Sequence, residues 1–179
     1  MRNQTRRERY NNKLTTAKKL PLEVCTINFQ CEENVAFVLR AAACFGAQAV
    51  NVIGALPAHK ELVARSGTLQ DMIKINKFAN PSEFVNYCNF NKIKLVSAEL
   101  DNESVSIHNY NFVNSLINYN SICVVVGHET LGVPVEILKN SSKVYIDMPG
   151  VGFCLNTSQT ANIFLYEISK QILKVNHIA

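Results

Sequence analysis

Leu22-Glu23-Val24-Cys25-Thr26-Ile27-Asn28 and Gln48-Ala49-Val50-Asn51-Val52-Ile53-Gly54 are short β-branched runs, separated by a helical stretch over residues 32–45. That stretch carries Val35, Val38, Leu39 and Ala42 on one stripe, with Gly46 where a helix would stop. The three segments form a β-α-β unit, and strands joined by a helical crossover run parallel. Outward from this unit, the spacing predicts a short helix over 57–65, a strand over 73–78, and a helix over 82–91 that Pro81 opens. Strands follow over 93–98 and 122–126, the latter the most apolar and hence the most central. A last strand over 143–148 and a closing helix over 156–174 complete the pattern, with Ile163, Ile168 and Ile172 among its buried positions. Residues 101–120, with six asparagines, read as a surface connection. The expected fold is α/β, an open and mostly parallel sheet with helices on both faces.

The 179 residues are 47% hydrophobic and 18% charged, which predicts a packed globule and not a disordered chain. No apolar run is long enough to span a membrane, and the N-terminus lacks the apolar core of a secretory signal, so a cytoplasmic protein is expected. The formal charge of +4 is unevenly spread. Residues 1–19 carry seven basic side chains against Glu8 alone, a balance of +6, and residues 20–179 carry −2. A short basic segment without apolar periodicity cannot bury itself, so 1–19 is expected as a basic arm, mobile or a frayed helix, outside a domain over 20–179. It is either a solvated tail or an arm that gathers phosphates. The six cysteines form no C-x-x-C pair and the histidines no ligand spacing, so scattered thiols and no metal are expected.

In an open parallel sheet the ligand crevice lies at the carboxyl ends of the strands. Three segments placed there carry polar residues that packing does not require. Asn34 and Arg40 lie six apart in the first helix, Gly127-His128-Glu129-Thr130-Leu131-Gly132 follows the apolar strand, and Ile146 to Ser158 leads from the last strand into the last helix. Neither G-x-G-x-x-G nor G-x-x-x-x-G-K-[ST] occurs, which weakens ordinary dinucleotide or nucleoside-triphosphate binding. Glycines at 127, 132, 150 and 152 instead bend two loops and leave backbone groups free, which suits a ligand that is not a polyphosphate.

Together these segments resemble the SpoU (TrmH-like) branch of the SPOUT RNA methyltransferases. Asn34, Arg40, Phe45 and Gly46 match its first motif; Gly127, Glu129 and Gly132 the second; Ile146, Met148, Gly150, Leu155, Asn156 and Ser158 the third. The resemblance implies a C-terminal trefoil knot, S-adenosylmethionine (SAM) bent within it, a homodimer, and methylation of a ribose 2′-OH in RNA, with tRNA placed ahead of rRNA. It assigns cofactor contacts to Ala98, Gly127, Ile146, Met148 and Leu155, largely through backbone groups. It assigns the chemistry to Arg40, Asn34, Glu129 and Asn156. Arg40 is the family's proposed base, yet a guanidinium is better suited to holding a phosphate, and its role is divided between the two. Glu129 is expected to orient its loop and pair with Arg40, in the same chain or across the dimer. Asn34 braces Arg40, contacts RNA or caps a turn, and Asn156 caps the last helix, hydrogen-bonds near the attacking ribose or fixes the knot loop, the cap being compatible with either of the others. His128 needs only to hydrogen-bond, and Cys154 is read as packing. The sequence departs from the family at Cys154, Thr157 and Asp147, where Ser, Val and Pro are usual. An alternative is therefore an RNA-binding protein that keeps the scaffold without transfer, and a third is an unrelated α/β nucleotide-binding enzyme.

Overall fold

The computed structural model describes residues 5–31, 33–67 and 69–176. Strand β1 (Leu22–Ile27) has no exposed residue, and the same holds for β2 (Ala49–Ile53) and β6 (Ser121–Val126). A strand covered on both faces has no solvent side on which to place polar residues, so its sequence runs apolar instead of alternating. With β3 (Lys74–Phe78), β4 (Ile93–Ala98), β5 (Val105–Ser106) and β7 (Ser142–Tyr145) they form one sheet, ordered β3-β2-β1-β6-β4-β7-β5, with every pairing parallel. The apolar strand β6 is its centre, as its composition predicts. Val126 pairs with both Thr26 and Ala98, so the carboxyl ends of β1, β6 and β4 finish level.

Helices cover both faces. On one, α2 (Glu33–Cys44) and α7 (Thr157–Asn176) pack Val35, Leu39, Phe164 and Ile168 onto Leu22 and Val24. On the other, α4 (Pro81–Phe90) and α6 (Val135–Leu138) pack Phe84, Cys88 and Ile137 onto Cys25 and Ile27. Asn80 caps α4, its Oδ1 accepting from Glu83 N at 2.9 Å. Short α3 (His59–Ser66) lies over α2. Gly46 does more than stop α2: at φ +74° a Cβ there would fall 2.6 Å from the Lys18 carbonyl oxygen. After β7 the chain returns to lay α7 against α2, β1 and β6, a path consistent with the implied knot.

Several expectations are corrected. The last strand ends at Tyr145, leaving Ile146, Asp147 and Met148 in a loop, because β7 meets β4 only over Ser142–Val144 and a proline follows at 149. Residues 101–120 are not merely a surface connection. They hold β5 and α5 (Phe112–Ser115), and Phe112 is fully buried beneath α7. The asparagines there serve turns and caps, Asn111 Oδ1 accepting from Asn114 N at 2.9 Å. Ile163 is exposed, since the buried stripe of α7 runs through Ala161, Phe164, Leu165, Ile168 and Ile172. The predicted start of α2 at Glu32 lies outside the described residues.

The basic segment contains a helix, α1 (Arg6–Thr16), opened by a capping box in which Thr5 N donates to Glu8 Oε2 at 2.7 Å and Glu8 N to Thr5 Oγ1 at 3.3 Å. Its side chains from Arg7 onward are exposed. Lys19 belongs to the body, donating from Nζ to the carbonyls of Ala47 and Met72, both at 3.0 Å.

Candidate active site

The carboxyl ends of β4, β6 and β7 and the loops that follow them enclose a cavity of about 320 Å³. Ala98, Gly127, Ile146, Met148 and Leu155, the five positions assigned to a cofactor, all line it. Gly127 is required by close approach, since a Cβ there would fall 2.3 Å from the Gly132 carbonyl carbon. The turn between them closes on itself: His128 N donates to Gly132 O and Gly132 N to His128 O, each at 3.0 Å. Gly132, at φ +66°, supplies the left-handed residue of that turn. His128 Nδ1 accepts from Thr130 N at 3.1 Å and Leu131 N at 3.3 Å, so the neutral ring carries its proton on Nε2. The ring thus fastens the loop, in keeping with the hydrogen-bonding role expected of it.

A chain of three polar side chains ties this loop to α2 and α7. Glu129 accepts from Gln30 N at 2.9 Å, from Cys31 N at 3.5 Å and from Asn34 Nδ2 at 3.1 Å. Partial burial raises its carboxyl pKa, but these donors outweigh that effect and hold it below the ordinary value. Asn34, buried in the first turn of α2, accepts at Oδ1 from Asn156 Nδ2 at 3.2 Å. Asn156 caps α7 as well, its Oδ1 accepting from Ser158 N at 2.9 Å. Cap and network coexist in Asn156, as the sequence reading allows.

Arg40 is not part of this chain. Six residues along a helix is a rotation of about 600°, which leaves Arg40 roughly 120° around α2 from Asn34. Its exposed guanidinium lies 3.5 Å from the Arg65 carbonyl oxygen and borders a second cavity of about 360 Å³ with Phe37, Phe45, Ser158 and Asn162. Asn34 therefore does not brace Arg40, and Glu129 does not pair with Arg40 within the chain. Cys154 is exposed at the first cavity and is not a packing residue. Asp147 accepts from Ser106 Oγ, fastening the loop after β7 to the sheet edge.

The first cavity also defines what it can hold. Its volume falls in the range of roughly 300–1,000 Å³ usual for small-molecule sites. Val126, Val144 and Phe164 give it an apolar floor, and Glu99 and Glu129 are its acidic side chains; no Lys or Arg lines it among the described residues. The backbone groups of Ile146, Met148 and Leu155 hydrogen-bond to no described residue. Such a cavity fits the implied SAM: free main-chain donors and acceptors for a nucleoside, carboxylates near a cation, and nothing to bind a polyphosphate. One carboxylate after a strand forms no motif, so the sequence alone does not single out Glu99. Among the described residues no group of His, Cys, Asp or Glu side chains is placed to hold a metal ion, and no helix is long and apolar enough to cross a membrane.

Comparison with known proteins gives the same direction. A tRNA-modifying TrmH/SpoU enzyme from A. aeolicus superposes with a TM-score of 0.78 at 21% identity, over 94% of this chain and 83% of that one. An AdoMet-bound rRNA methyltransferase from Sinorhizobium meliloti gives 0.76 at 19% identity, over 87% of this chain but 58% of its own length. A structure concerned with 2-OH methylation of C/U34 on tRNA gives 0.73 at 19% identity, over 87% of this chain and 99% of that one. At these identities the likeness establishes a shared fold. No curated protein matches. Residues 21–166, which hold all three loops of the cavity, match the profile of the SpoU rRNA Methylase family, and the chain belongs to that family.

Proposed function

We propose that the chain is a SAM-dependent RNA methyltransferase acting on a ribose 2′-OH in the cytoplasm. The observation that carries this reading is the cavity that joins free backbone groups to two carboxylates without any Lys or Arg among its described lining residues. Such a site selects a nucleoside bearing positive charge over a nucleotide. Ala98, Gly127, Ile146, Met148 and Leu155 would hold the cofactor, which when bound supplies a methyl already activated on a sulfonium. The chain's own task is to orient an RNA hydroxyl and take its proton. Glu129, Asn34 and Asn156 fix the loops that bound the cavity, and Arg40, through its planar fork, anchors a substrate phosphate and assists proton loss.

Arg40 borders a cavity of its own in a protomer, so the reading includes a homodimer in which Arg40 completes a site with the second copy. Phe37, Tyr166 and Leu173, exposed on α2 and α7, support such an interface. The basic segment at the N-terminus, +5 over residues 1–18 once Lys19 is counted with the body, is proposed to gather RNA phosphates around a body of −1. tRNA is placed ahead of rRNA because the tRNA-related structure is matched over 99% of its length and the S. meliloti enzyme over 58%. Asp147 and Cys154, in the loop after β7, favour one second reading, an RNA binder without transfer activity.

Incubation with total RNA and labelled SAM, followed by nuclease digestion, tests the proposal. A labelled 2′-O-methylnucleotide is expected. Label on a base would overturn ribose specificity, and SAM binding in calorimetry without any transfer would favour the second reading.

A further inference from the structure

We infer that Glu99 reads the ribose of the cofactor, its carboxylate accepting from the vicinal hydroxyls, an inference that rests on the SAM reading above. Glu99 is the first residue after β4, and its N–H donates to the Val144 carbonyl at 3.1 Å, which locks its backbone to β7. The side chain is half-buried at the cavity wall. Oε2 accepts from Val133 N at 3.1 Å and Oε1 from Leu100 N at 3.2 Å. A Cβ on Gly132 would fall 2.7 Å from Oε2, so the absence of a side chain there is what lets the carboxylate lie against the turn.

Two features make this carboxylate a reader and not a strut. First, no Lys, Arg or His among the described residues pairs with it, and a partly desolvated carboxylate without a cation needs hydrogen-bond donors. A carboxylate offers about four lone-pair sites, of which two are taken. Second, the cavity's other carboxylate is already committed, since Glu129 receives three donors from the β1–α2 loop and Asn34. By the same count Glu129 keeps about one site and Glu99 about two, so Glu99 is the carboxylate with room for a pair of donors. Two adjacent hydroxyls supply two donors at the spacing of one carboxylate, the solution that acidic residues after a strand provide to ribose in other parallel sheets. The sulfonium has no hydrogen to donate.

Calorimetry on the full chain separates the possibilities. The ligands are SAM, 5′-methylthioadenosine, which keeps the diol but lacks both the sulfonium and the ammonium, and its 2′,3′-dideoxy counterpart. The wild type is expected to bind methylthioadenosine at least tenfold more tightly than the dideoxy compound. In Glu99→Ala that preference should vanish, and in Glu99→Gln, which keeps an acceptor for Val133 N–H, it should fall to a few-fold while dideoxy affinity stays unchanged. A preference of wild-type size in both variants, or none in the wild type, overturns the ribose assignment while SAM binding leaves the functional reading intact. If the wild type binds neither SAM nor methylthioadenosine, both readings are overturned; if it binds SAM but not methylthioadenosine, only the ribose assignment is.

Discussion

Two networks of carboxylate and asparagine side chains cross this sheet, built from the same residue types and put to opposite uses. In the core, Glu23 of β1 accepts from Asn51 Nδ2 at 2.9 Å and from Ser121 Oγ at 3.0 Å, and Asn51 Oδ1 accepts from Asn76 Nδ2 at 2.8 Å. These links run across β6, β1, β2 and β3, and Glu23 and Asn51 are both buried. At the carboxyl ends, Glu129, Asn34 and Asn156 link three segments that are distant in sequence, with Glu129 exposed. The core network uses side chains in regular strands to satisfy one another. The site network uses a side chain to satisfy loop amides, which places its groups beside a cavity. The first sets the register of strands and the second the position of loops, so damage to each should be read by a different measurement.

Arg40 belongs to neither network and carries the largest expected effect. Arg40→Ala should lower methyl transfer by about 10²–10⁴-fold, the usual share of a proton-transfer or positioning group, with SAM affinity unchanged. Transfer at the wild-type rate would remove Arg40 from the mechanism. Mixing Arg40→Ala with Glu129→Ala protomers sharpens the point, because activity should return only if the two residues serve one site from different chains.

Asn51→Ala leaves the buried Glu23 carboxylate and the Asn76 amide short of a partner and should cost about 1.5–3 kcal/mol in denaturant unfolding, with unchanged SAM affinity. Asn34→Ala should do the reverse, weakening cofactor binding and transfer about tenfold or more while costing about 1 kcal/mol or less of stability. Equal stability losses with equal functional losses would dissolve the distinction. The core thiols provide a parallel sign of dryness: burial, with the nearby Glu23 carboxylate adding to it, pushes Cys88 up to about 12.

Acid should separate the networks without mutation. The folded Glu129 carboxyl lies below its ordinary value of 4.5, so its hold on the loop is complete above that value and lost as pH falls through the lowered one. Hydrogen-exchange protection of Gln30 and Cys31 amides should therefore fall toward acid before that of the β1 amides. Protection lost together would mean that the loop opens only with global unfolding.

How far the sequence foretold this depends on whether a feature is local. Buried strands are written as apolar runs, so β1, β2 and the central place of β6 were readable from composition, and the parallel pairing of β1 with β2 from the crossover between them. The family resemblance assigned Ala98, Gly127 and Leu155 to a cofactor, and all three line one cavity. What was not readable depends on contacts between distant residues. Asn34 and Asn156 meet across a separation of 122 residues. Phe112 enters the core from a stretch whose asparagines disguise it, and Glu99 acquires its place only when the turn at Gly132 lies against it.

The basic segment offers a smaller effect at the periphery. The structure moves its boundary, since Lys19 is bonded to the body, so truncation should remove residues 1–17 and keep Lys19. RNA affinity should fall several-fold, with a salt dependence shallower by about 0.9 in logarithmic slope for each phosphate that the arm no longer neutralises. SAM affinity and unfolding midpoint should stay as they are. An unchanged salt slope would make α1 a solvated tail.

The smallest effect probes the join between site and core. Thr157, where the family usually has Val, begins α7 directly after Asn156; it is buried and its Oγ1 has no hydrogen-bond partner among the described residues. A buried hydroxyl without a partner costs free energy that a methyl of the same shape does not. Thr157→Val should therefore stabilise the fold by about 1 kcal/mol, raising Tm by roughly 2–4 °C for a domain of this size. If Tm falls instead, the hydroxyl has a partner in solution. The polar chain through Asn34 and Asn156 would then reach one residue further, into the first turn of the last helix, where the family's valine ends it.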